Sequence, residues 1–183
     1  NSNTALGQDA LYSNTTASQN TAVGYQAAYS TTTANNNTVM GYQALRTNTT
    51  GTPNAAFGVQ CLYYNTTGNA NTAVGGYGAM HLNTTGSNNV ALGEKALFNN
   101  TTASNNTAVG YQAGYTNTTG EVTTFGNAAG YNNTTGSITA IGQVALYNNT
   151  TGVANVAVGG RASGVSDAAM LSNSTGSYNT AVG

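Results

Sequence analysis

The sequence has almost no charge. Its 183 residues include only three basic and four acidic side chains, which leave a net charge of −1, whereas roughly 25% of the residues in an average soluble protein are charged. Without a basic patch, the chain has no electrostatic means of attracting nucleic acid or an anionic membrane surface. No apolar run reaches the roughly 20 residues of a membrane-spanning helix either. We therefore expect neither a nucleic-acid partner nor membrane insertion.

Cysteine is nearly absent as well. The one cysteine, Cys61, cannot form a disulfide within the chain, so stability must come from packing. The chain also lacks an initiator methionine and a signal-peptide pattern, which is typical of an excerpt or a mature product. Disordered segments combine few apolar residues with high net charge. Here 39% of the residues are apolar and they recur in register, so we predict an ordered protein.

The apolar residues belong to a repeat. A glycine follows a large apolar residue at a spacing of mostly 17 residues, with two spacings of 16, one of 18 and a last one of 24. Such a period is typical of architectures in which each unit stacks on the next because it cannot bury its apolar side alone. The recurring glycines are Gly7, Gly24, Gly41, Gly58, Gly76, Gly93, Gly110, Gly126, Gly142, Gly159 and Gly183.

The positions of each repeat are numbered from this glycine, position 0. Position −1 is large and apolar, −2 and +3 are mostly alanine, +4 is mostly leucine or methionine, and +5 is mostly aromatic. These stretches are too short for helices and are followed by Asn, Thr and Gly, which favour turns, so short strands fit them better. The pattern predicts an all-β parallel β-solenoid (β-roll) of about eleven coils, stacked about 4.8 Å apart into a rod roughly 50 Å long.

The repeat covers the whole chain. We therefore predict a single solenoid domain over residues 1–183, with an insertion near residues 160–166 and one extra residue at Gly75–Gly76. Solenoids accept such insertions at the corners of coils.

Position −4 is asparagine in eight coils, and in the coil of Gly76 the corresponding asparagine, Asn71, comes one residue earlier. Stacked identical amides can hydrogen-bond from coil to coil, as in the asparagine ladders of cross-β structures; the simpler alternative is that asparagine merely fills a turn. The two 16-residue coils carry Val122 and Ile138 here, so the missing residue is expected at this corner. The asparagines are Asn3, Asn20, Asn37, Asn54, Asn71, Asn89, Asn106, Asn155 and Asn179.

The repeat carries more apolar positions than one buried face requires. Adjacent residues of a strand point to opposite faces, so −2 and −1, and likewise +3 and +4, are expected on opposite sides. The second apolar set indicates that a further face is covered, most simply by copies of the same chain. We therefore expect a homo-oligomeric fibre, with a homotrimer as the preferred assembly.

The segment Asn20–Gly24 and its copies Asn106–Gly110 and Asn179–Gly183 resemble the head repeats of trimeric autotransporter adhesins. The longer unit that ends in Asn-Thr-Thr-Gly is similar to repeats of phage tail fibres and related bacterial surface proteins. This resemblance spans essentially the whole chain. It implies a left-handed parallel β-roll that is trimeric, with short strands joined at glycine corners.

Residues that could carry catalysis are few and scattered. The one histidine, His81, has no second histidine or acidic cluster beside it in the repeat, so we expect a structural residue. Cys61 replaces alanine at position +3, where a buried, inert thiol is expected. Gly75–Gly78 lacks the lysine and the helix of a phosphate-binding loop. We expect a protein that is not an enzyme and holds no metal or cofactor. The acidic residues fall in different coils, at Asp9, Glu94, Glu121 and Asp167.

The recurring Asn-Thr-Thr has a chemical interpretation beyond stacking. It satisfies the acceptor pattern for N-glycosylation and falls in what the sequence predicts to be a surface turn. We hypothesise that covalent glycans coat one edge of the rod and supply the solubility that so few charges cannot. The candidate asparagines are Asn14, Asn48, Asn65, Asn83, Asn100, Asn117, Asn133, Asn149 and Asn173.

The leading functional hypothesis is a structural segment of an extracellular fibre, located at a cell surface or on a virion: a surface adhesin, a pilus-like fibril or a phage tail fibre. Stacking of coils at the two ends would further allow end-to-end polymers. The alternatives are a binding module for carbohydrate or ice, and a self-assembling, amyloid-like matrix fibre.

Overall fold

The computed structural model describes residues 2–161 and 168–183, and it contains one parallel sheet of eleven strands in chain order. No helix in these ranges is long and apolar enough to cross a membrane. The predicted all-β solenoid is thereby confirmed, whereas residues 162–166 of the predicted insertion lie outside the described residues. The strands are β1 Thr4–Leu6, β2 Thr21–Val23, β3 Thr38–Met40, β4 Ala55–Val59, β5 Thr72–Tyr77, β6 Val90–Leu92, β7 Thr107–Val109, β8 Val122–Phe125, β9 Ile138–Ile141, β10 Asn155–Val158 and β11 Thr180–Val182.

Each coil is hydrogen-bonded to the next one in the strand, in the turn after the glycine and in the Asn-Thr-Thr segment. In the sheet, like residues lie side by side, so that Thr4 pairs with Thr21. In the turn after the glycine, the N–H of Leu45 donates to the carbonyl of Cys61 at 2.9 Å. In the Asn-Thr-Thr segment, the N–H of Thr49 donates to the carbonyl of Thr66 at 3.0 Å. In these three segments the backbone N–H groups of one coil donate to carbonyl groups of the following coil, as stacking requires.

The recurring glycine allows neighbouring coils to approach closely. Gly93 has a φ of 134°, and a Cβ on it would lie 2.5 Å from the carbonyl oxygen of Gly110. No larger residue fits this contact, since the obstacle is backbone. In the fifth coil the equivalent glycine is Gly75, which stacks on Gly93. The assignment of Gly76 to this column was wrong: Gly76 is the extra residue, beside a register shift between β4 and β5.

The core is built from the residues at −2, +3 and +4. Ala22, Ala44 and Leu45 are fully buried. Position −1 lies on the opposite side of the strand from −2, as predicted, and the structure shows that −1 is the one that faces outward. The expectation for +3 and +4 was wrong, because both side chains point inward. This segment is a turn in which position +4 is left-handed, with φ of 50° at Leu45. Such a conformation costs about 1–2 kcal/mol for a residue with a Cβ, which burial of the leucine side chain offsets.

The two 16-residue coils show a compensation in volume. Position +4 is glycine at Gly114 and Gly130, and the space that leucine fills elsewhere is taken by larger residues of the strands. A Cβ at Gly130 would lie 2.9 Å from Ile138 Cδ1 and 2.9 Å from Thr124 Cγ2. Val122 stands in the place of the −4 asparagine. Its backbone N–H donates to Asn106 Oδ1 at 2.7 Å, as the N–H of a −4 asparagine does in the regular coils. The missing residue therefore falls at the predicted corner.

Candidate functional site

The asparagines at −4 form a buried ladder, as predicted. The side-chain oxygen of Asn20 accepts two hydrogen bonds from Asn37, one from its backbone N–H at 2.9 Å and one from its amide Nδ2 at 3.2 Å. Both residues are 1% exposed. The amide nitrogen of Asn89 also donates to the carbonyl of Ala103 in the next coil, at 3.0 Å. These asparagines therefore bridge coils and do more than fill a turn.

The first asparagine of Asn-Thr-Thr forms a second buried ladder, which the sequence analysis did not anticipate. Asn65 Nδ2 donates to Asn48 Oδ1 at 2.9 Å and to the carbonyl of Gly68 at 3.0 Å. The same carbonyl accepts from the −4 asparagine Asn54 at 2.9 Å. In this coil one backbone oxygen thus joins the two ladders, and the same holds for the carbonyls of Ala17, Gly86, Ala103 and Gly176. The half-buried Asn173 ends this Asn-Thr-Thr ladder by donating to Asn149 Oδ1 at 3.2 Å. Its seven fully buried members are Asn48, Asn65, Asn83, Asn100, Asn117, Asn133 and Asn149.

This ladder corrects the placement of the candidate glycosylation sites. The seven asparagines from Asn48 to Asn149 are 0% exposed. The expectation that they lie on the surface is therefore wrong, although the threonines that follow them are partly exposed. A glycan would have to be carried on Nδ2, the atom that makes both ladder hydrogen bonds. Of the nine candidates, Asn14 and Asn173 are half-buried, and their glycosylation stays a prediction, although Asn173 Nδ2 also makes both bonds, to Asn149 Oδ1 at 3.2 Å and to the carbonyl of Gly176 at 3.0 Å. A signal for burial was present, because the stacking argument used for −4 applies equally to this column.

The Asn-Thr-Thr ladder has one gap. Thr31 occupies the asparagine position between Asn14 and Asn48, and its buried hydroxyl has no hydrogen-bond partner among the described residues. An unsatisfied buried polar atom costs about 1–3 kcal/mol. The other such atom is the hydroxyl of Thr124, in one of the 16-residue coils.

Position +5 forms a continuous stack of flat side chains. Tyr115, Tyr131 and Tyr147 are parallel, with ring centroids 4.9 and 5.0 Å apart. His81 lies between Tyr63 and Phe98 in the same stack, with centroid distances of 5.3 and 5.0 Å. The predicted aromatic column is thus present, and its ring faces are largely covered by neighbouring rings.

Arg46 completes this aromatic column where a ring is missing. Its guanidinium carbon lies 5.3 Å from the ring centroid of Tyr29 and 5.7 Å from that of Tyr63. Its Nε also donates to Gln26 Oε1 at 3.0 Å. A planar guanidinium stacks on aromatic faces, so this charged residue belongs to the column and not to a binding site.

His81 and Cys61 both have structural surroundings. The Nδ1 of His81 lies 3.2 Å from the carbonyl oxygen of Gln60 and must carry the proton, since a carbonyl only accepts. Burial lowers the pKa of His81 and raises the pKa of the Cys61 thiol. A buried protonated thiol is a poor nucleophile. Asp167 lies outside the described residues, and in the part of the chain that the structure describes, no three His, Cys, Asp or Glu side chains form a metal-binding group.

The most extensive candidate site is an exposed apolar surface on the outer face of the sheet. The −1 side chains project from every strand, and Met40 and Phe125 are 50% and 39% exposed. The tyrosines at +1 flank them, and Tyr25 and Tyr42 stack at 5.3 Å. We call this surface the apolar stripe. It consists of Leu6, Val23, Met40, Phe57, Val74, Leu92, Val109, Phe125, Ile141, Val158 and Val182, with Tyr25, Tyr42, Tyr77 and Tyr111 beside them.

The apolar stripe is nearly free of charge: Glu94 is the single charged residue at position +1. At about 4.8 Å per coil the stripe runs roughly 50 Å along the rod. Monomeric soluble proteins rarely expose continuous apolar surface of this extent, which marks an interaction site.

Comparison with known proteins provides no relative: neither a protein-family model, nor a curated protein, nor a solved structure matches this chain.

Proposed function

We propose that this chain is a structural segment of an extracellular fibre, in which copies of the rod associate along the apolar stripe. The observation that carries the proposal is the combination of the two buried asparagine ladders with that stripe. The two asparagine ladders and the backbone hydrogen bonds hold each coil to its neighbours at three places. They therefore support a long rod and resist the local opening of a coil. Such a molecule suits a mechanical role as a spacer in a surface adhesin, a pilus-like fibril or a phage tail fibre.

A homotrimer remains the preferred assembly. The −1 column supports association of parallel copies, because eleven large side chains in line form a surface that a second copy can match coil for coil. The number three rests on the resemblance to trimeric repeats. The side chains at +3 and +4 do not contribute to an interface, because they fill the core of one chain. A glycan coat is retained in the proposal only for Asn14 and Asn173.

The alternatives have weaker support. On the outer face of most strands, a threonine at −3 lies beside the residue at −1, as Thr107 does beside Val109. Along the −1 column, however, side chains of very different size follow one another, such as Val109 and Phe125. An ice-binding surface requires a flat array, which such varied side chains do not form. The aromatic column also offers few free ring faces for sugars, because its rings cover one another.

Labelling in the native source tests the proposed location. Gold-conjugated antibodies against this segment, applied to intact cells or virions, are expected to decorate thin surface fibres in electron micrographs. Label that appears only after the cells are opened would contradict an extracellular fibre.

A further inference from the structure

One corner of the rod departs from the regular surface. The coils of β8 and β9 have 16 residues, and the coils of β7 and β10 on either side have 17. Asn105 and Ala154 occupy position −5 in the two flanking coils, each with a left-handed φ. Because the two shorter coils lack one residue between the Asn-Thr-Thr segment and the strand, the surface recedes there over the height of two coils, about 10 Å.

The result is an open notch with a volume of about 370 Å³. The same corner of the regular coils around β3–β5, lined by Asn36, Pro53 and Ala70 among others, encloses only about 220 Å³. This regular corner serves as an internal reference. The notch is therefore larger than the regular corner because one residue is missing from each of its two coils. Its volume lies within the range of small-ligand sites.

The lining of the notch is rich in hydrogen-bonding groups. Exposed polar side chains come from both short coils, with the carboxylate of Glu121 and the hydroxyls of Thr123 and Ser137, and Asn105 adds an amide from the flanking coil. The backbone N–H groups of Glu121 and Ser137 have no acceptor among the described residues. Unpaired donors and acceptors therefore stand side by side in one concave surface.

Apolar groups complete the surface. Val122 and Ile138 are almost fully buried under the notch, and Val156 forms one wall. Val156 and the exposed Ala154 offer nonpolar contact beside the polar groups in the same small volume. The lining contains no basic side chain, so an anionic ligand would meet an uncompensated carboxylate.

From this arrangement we infer that the notch binds a neutral carbohydrate of one or two sugar units. Sugar hydroxyls both donate and accept, so they match the Glu121 carboxylate together with the free N–H groups. The C–H faces of a sugar match the apolar wall. A metal ion fits less well, because the lining supplies a single carboxylate where hard cations prefer several oxygen ligands in a closed shell. This site is independent of the fibre function, and neither the apolar stripe nor the aromatic column contributes to it.

Saturation-transfer NMR on the whole chain tests this inference. The probes are galactose, mannose and N-acetylglucosamine, with glucuronate as an acidic sugar and lysine amide as a cation. We expect transfer to at least one neutral sugar and none to glucuronate. Glu121→Gln should weaken that binding about tenfold, since a hydrogen bond to a charged acceptor becomes a weaker one to a neutral amide, while Glu94→Gln, in another coil, should leave the binding unchanged.

A second variant fills the notch but keeps the polar side chains that line it. Insertion of one asparagine after Glu121 and one after Ser137 restores two 17-residue coils, and it should abolish sugar binding while the circular dichroism spectrum and melting temperature stay close to those of the parent chain. The inference is overturned if no neutral sugar binds, if lysine amide is the only probe that binds, or if Glu121→Gln binds sugar as tightly as the parent chain does.

Discussion

Asn65 donates a hydrogen bond of 2.9 Å from its side-chain amide to Oδ1 of Asn48, the residue at the same position of the preceding coil. The relationship repeats along the rod with distances between 2.7 and 3.4 Å. Each of the seven fully buried amides in the ladder is both donor and acceptor. The short motif Asn-Thr-Thr therefore has a mechanical meaning, because its asparagine ties each coil to its neighbours inside the rod.

Replacement of one ladder asparagine by its isosteric acid should be strongly destabilising. In Asn83→Asp, a buried carboxylate would replace the amide that donates to Asn65 Oδ1 at 2.7 Å and to the carbonyl of Gly86 at 2.9 Å. A carboxylate oxygen at position 83 would then face Oδ1 of Asn65, and neither oxygen carries a proton to donate. We expect the free energy of unfolding at pH 7 to fall by about 3 kcal/mol or more, as measured by urea denaturation.

The exposed residue Asn88 provides the control for this change. Asn88→Asp introduces the same charge at position −5 of the same coil, and its effect should stay within about 0.5 kcal/mol. Equal destabilisation by the two variants would mean that the ladder contributes nothing specific.

The gap in the ladder should be repairable. Thr31→Asn places an amide between Asn14 and Asn48, where each of the other coils through Asn149 carries asparagine, and it removes the unpaired hydroxyl of Thr31. We expect stability to rise by about 1 kcal/mol, read from the urea midpoint. Thr33→Asn, an exposed substitution in the same coil, is the matched control and should change little. A loss of stability in Thr31→Asn would show that threonine is required at this position.

The stability of the rod should depend on the protonation of His81. Burial lowers its pKa below the ordinary value of 6.5, so the unfolded chain takes up this proton at a higher pH than the folded chain does. The contribution to stability is therefore complete above pH 6.5 and is lost as the pH falls through the folded pKa.

Urea unfolding at pH 7.5 and pH 5 measures this effect while most carboxylates stay ionised. The parent chain should be less stable at pH 5, and His81→Phe, which keeps a ring between Tyr63 and Phe98, should lose most of that difference. An identical pH dependence in both proteins would assign it to other groups.

The apolar stripe should hold the assembly together. Light scattering after size exclusion is expected to give three times the 18.3 kDa of one chain. A double variant, Met40→Glu and Phe125→Glu, buries charge in the interface and should weaken association at least a hundredfold, since an unpaired buried charge costs several kcal/mol. The control, Thr33→Glu and Thr119→Glu, adds equal charge to another exposed column. Monomers in the control as well as in the stripe variant would place the interface elsewhere.

The seven fully buried asparagines of the Asn-Thr-Thr ladder should carry no glycan in the native protein. Peptide mapping by mass spectrometry, with and without enzymatic glycan removal, is expected to recover unmodified asparagine at Asn65 and Asn100. A sugar found at either residue in folded material would contradict the burial of Nδ2.

Much of the fold follows directly from the spacing of residues. A period near 17 and the glycine contact fix the stacking, so residues such as Ala22 and Asn37 lie where their columns predict. The turn after the glycine was harder, because alternation along a strand does not hold for Leu45, whose left-handed φ turns its side chain inward. Composition gives no direct sign of that conformation, since leucine seldom adopts it.

The candidate surfaces were only partly predictable. Strand alternation separates −1 from −2, but it does not say which of the two faces outward; the structure buries the alanines at −2 and turns Val109 and Phe125 at −1 outward. The Asn-Thr-Thr asparagines were misplaced because a glycosylation motif specifies residue types and not the direction in which the side chain points. The notch near Glu121 depends on a gap of one residue in each of two adjacent coils, and the depth of such a gap requires coordinates.

The most direct test of the proposed fibre is an image of the native assembly by cryo-electron microscopy at side-chain resolution. We predict parallel rods with coils repeating about every 4.8 Å along the fibre axis, and with the apolar stripe of each chain, Met40 and Phe125 included, packed against the same stripe of other copies. Rods that turn this stripe toward solvent and meet through another face would contradict the account.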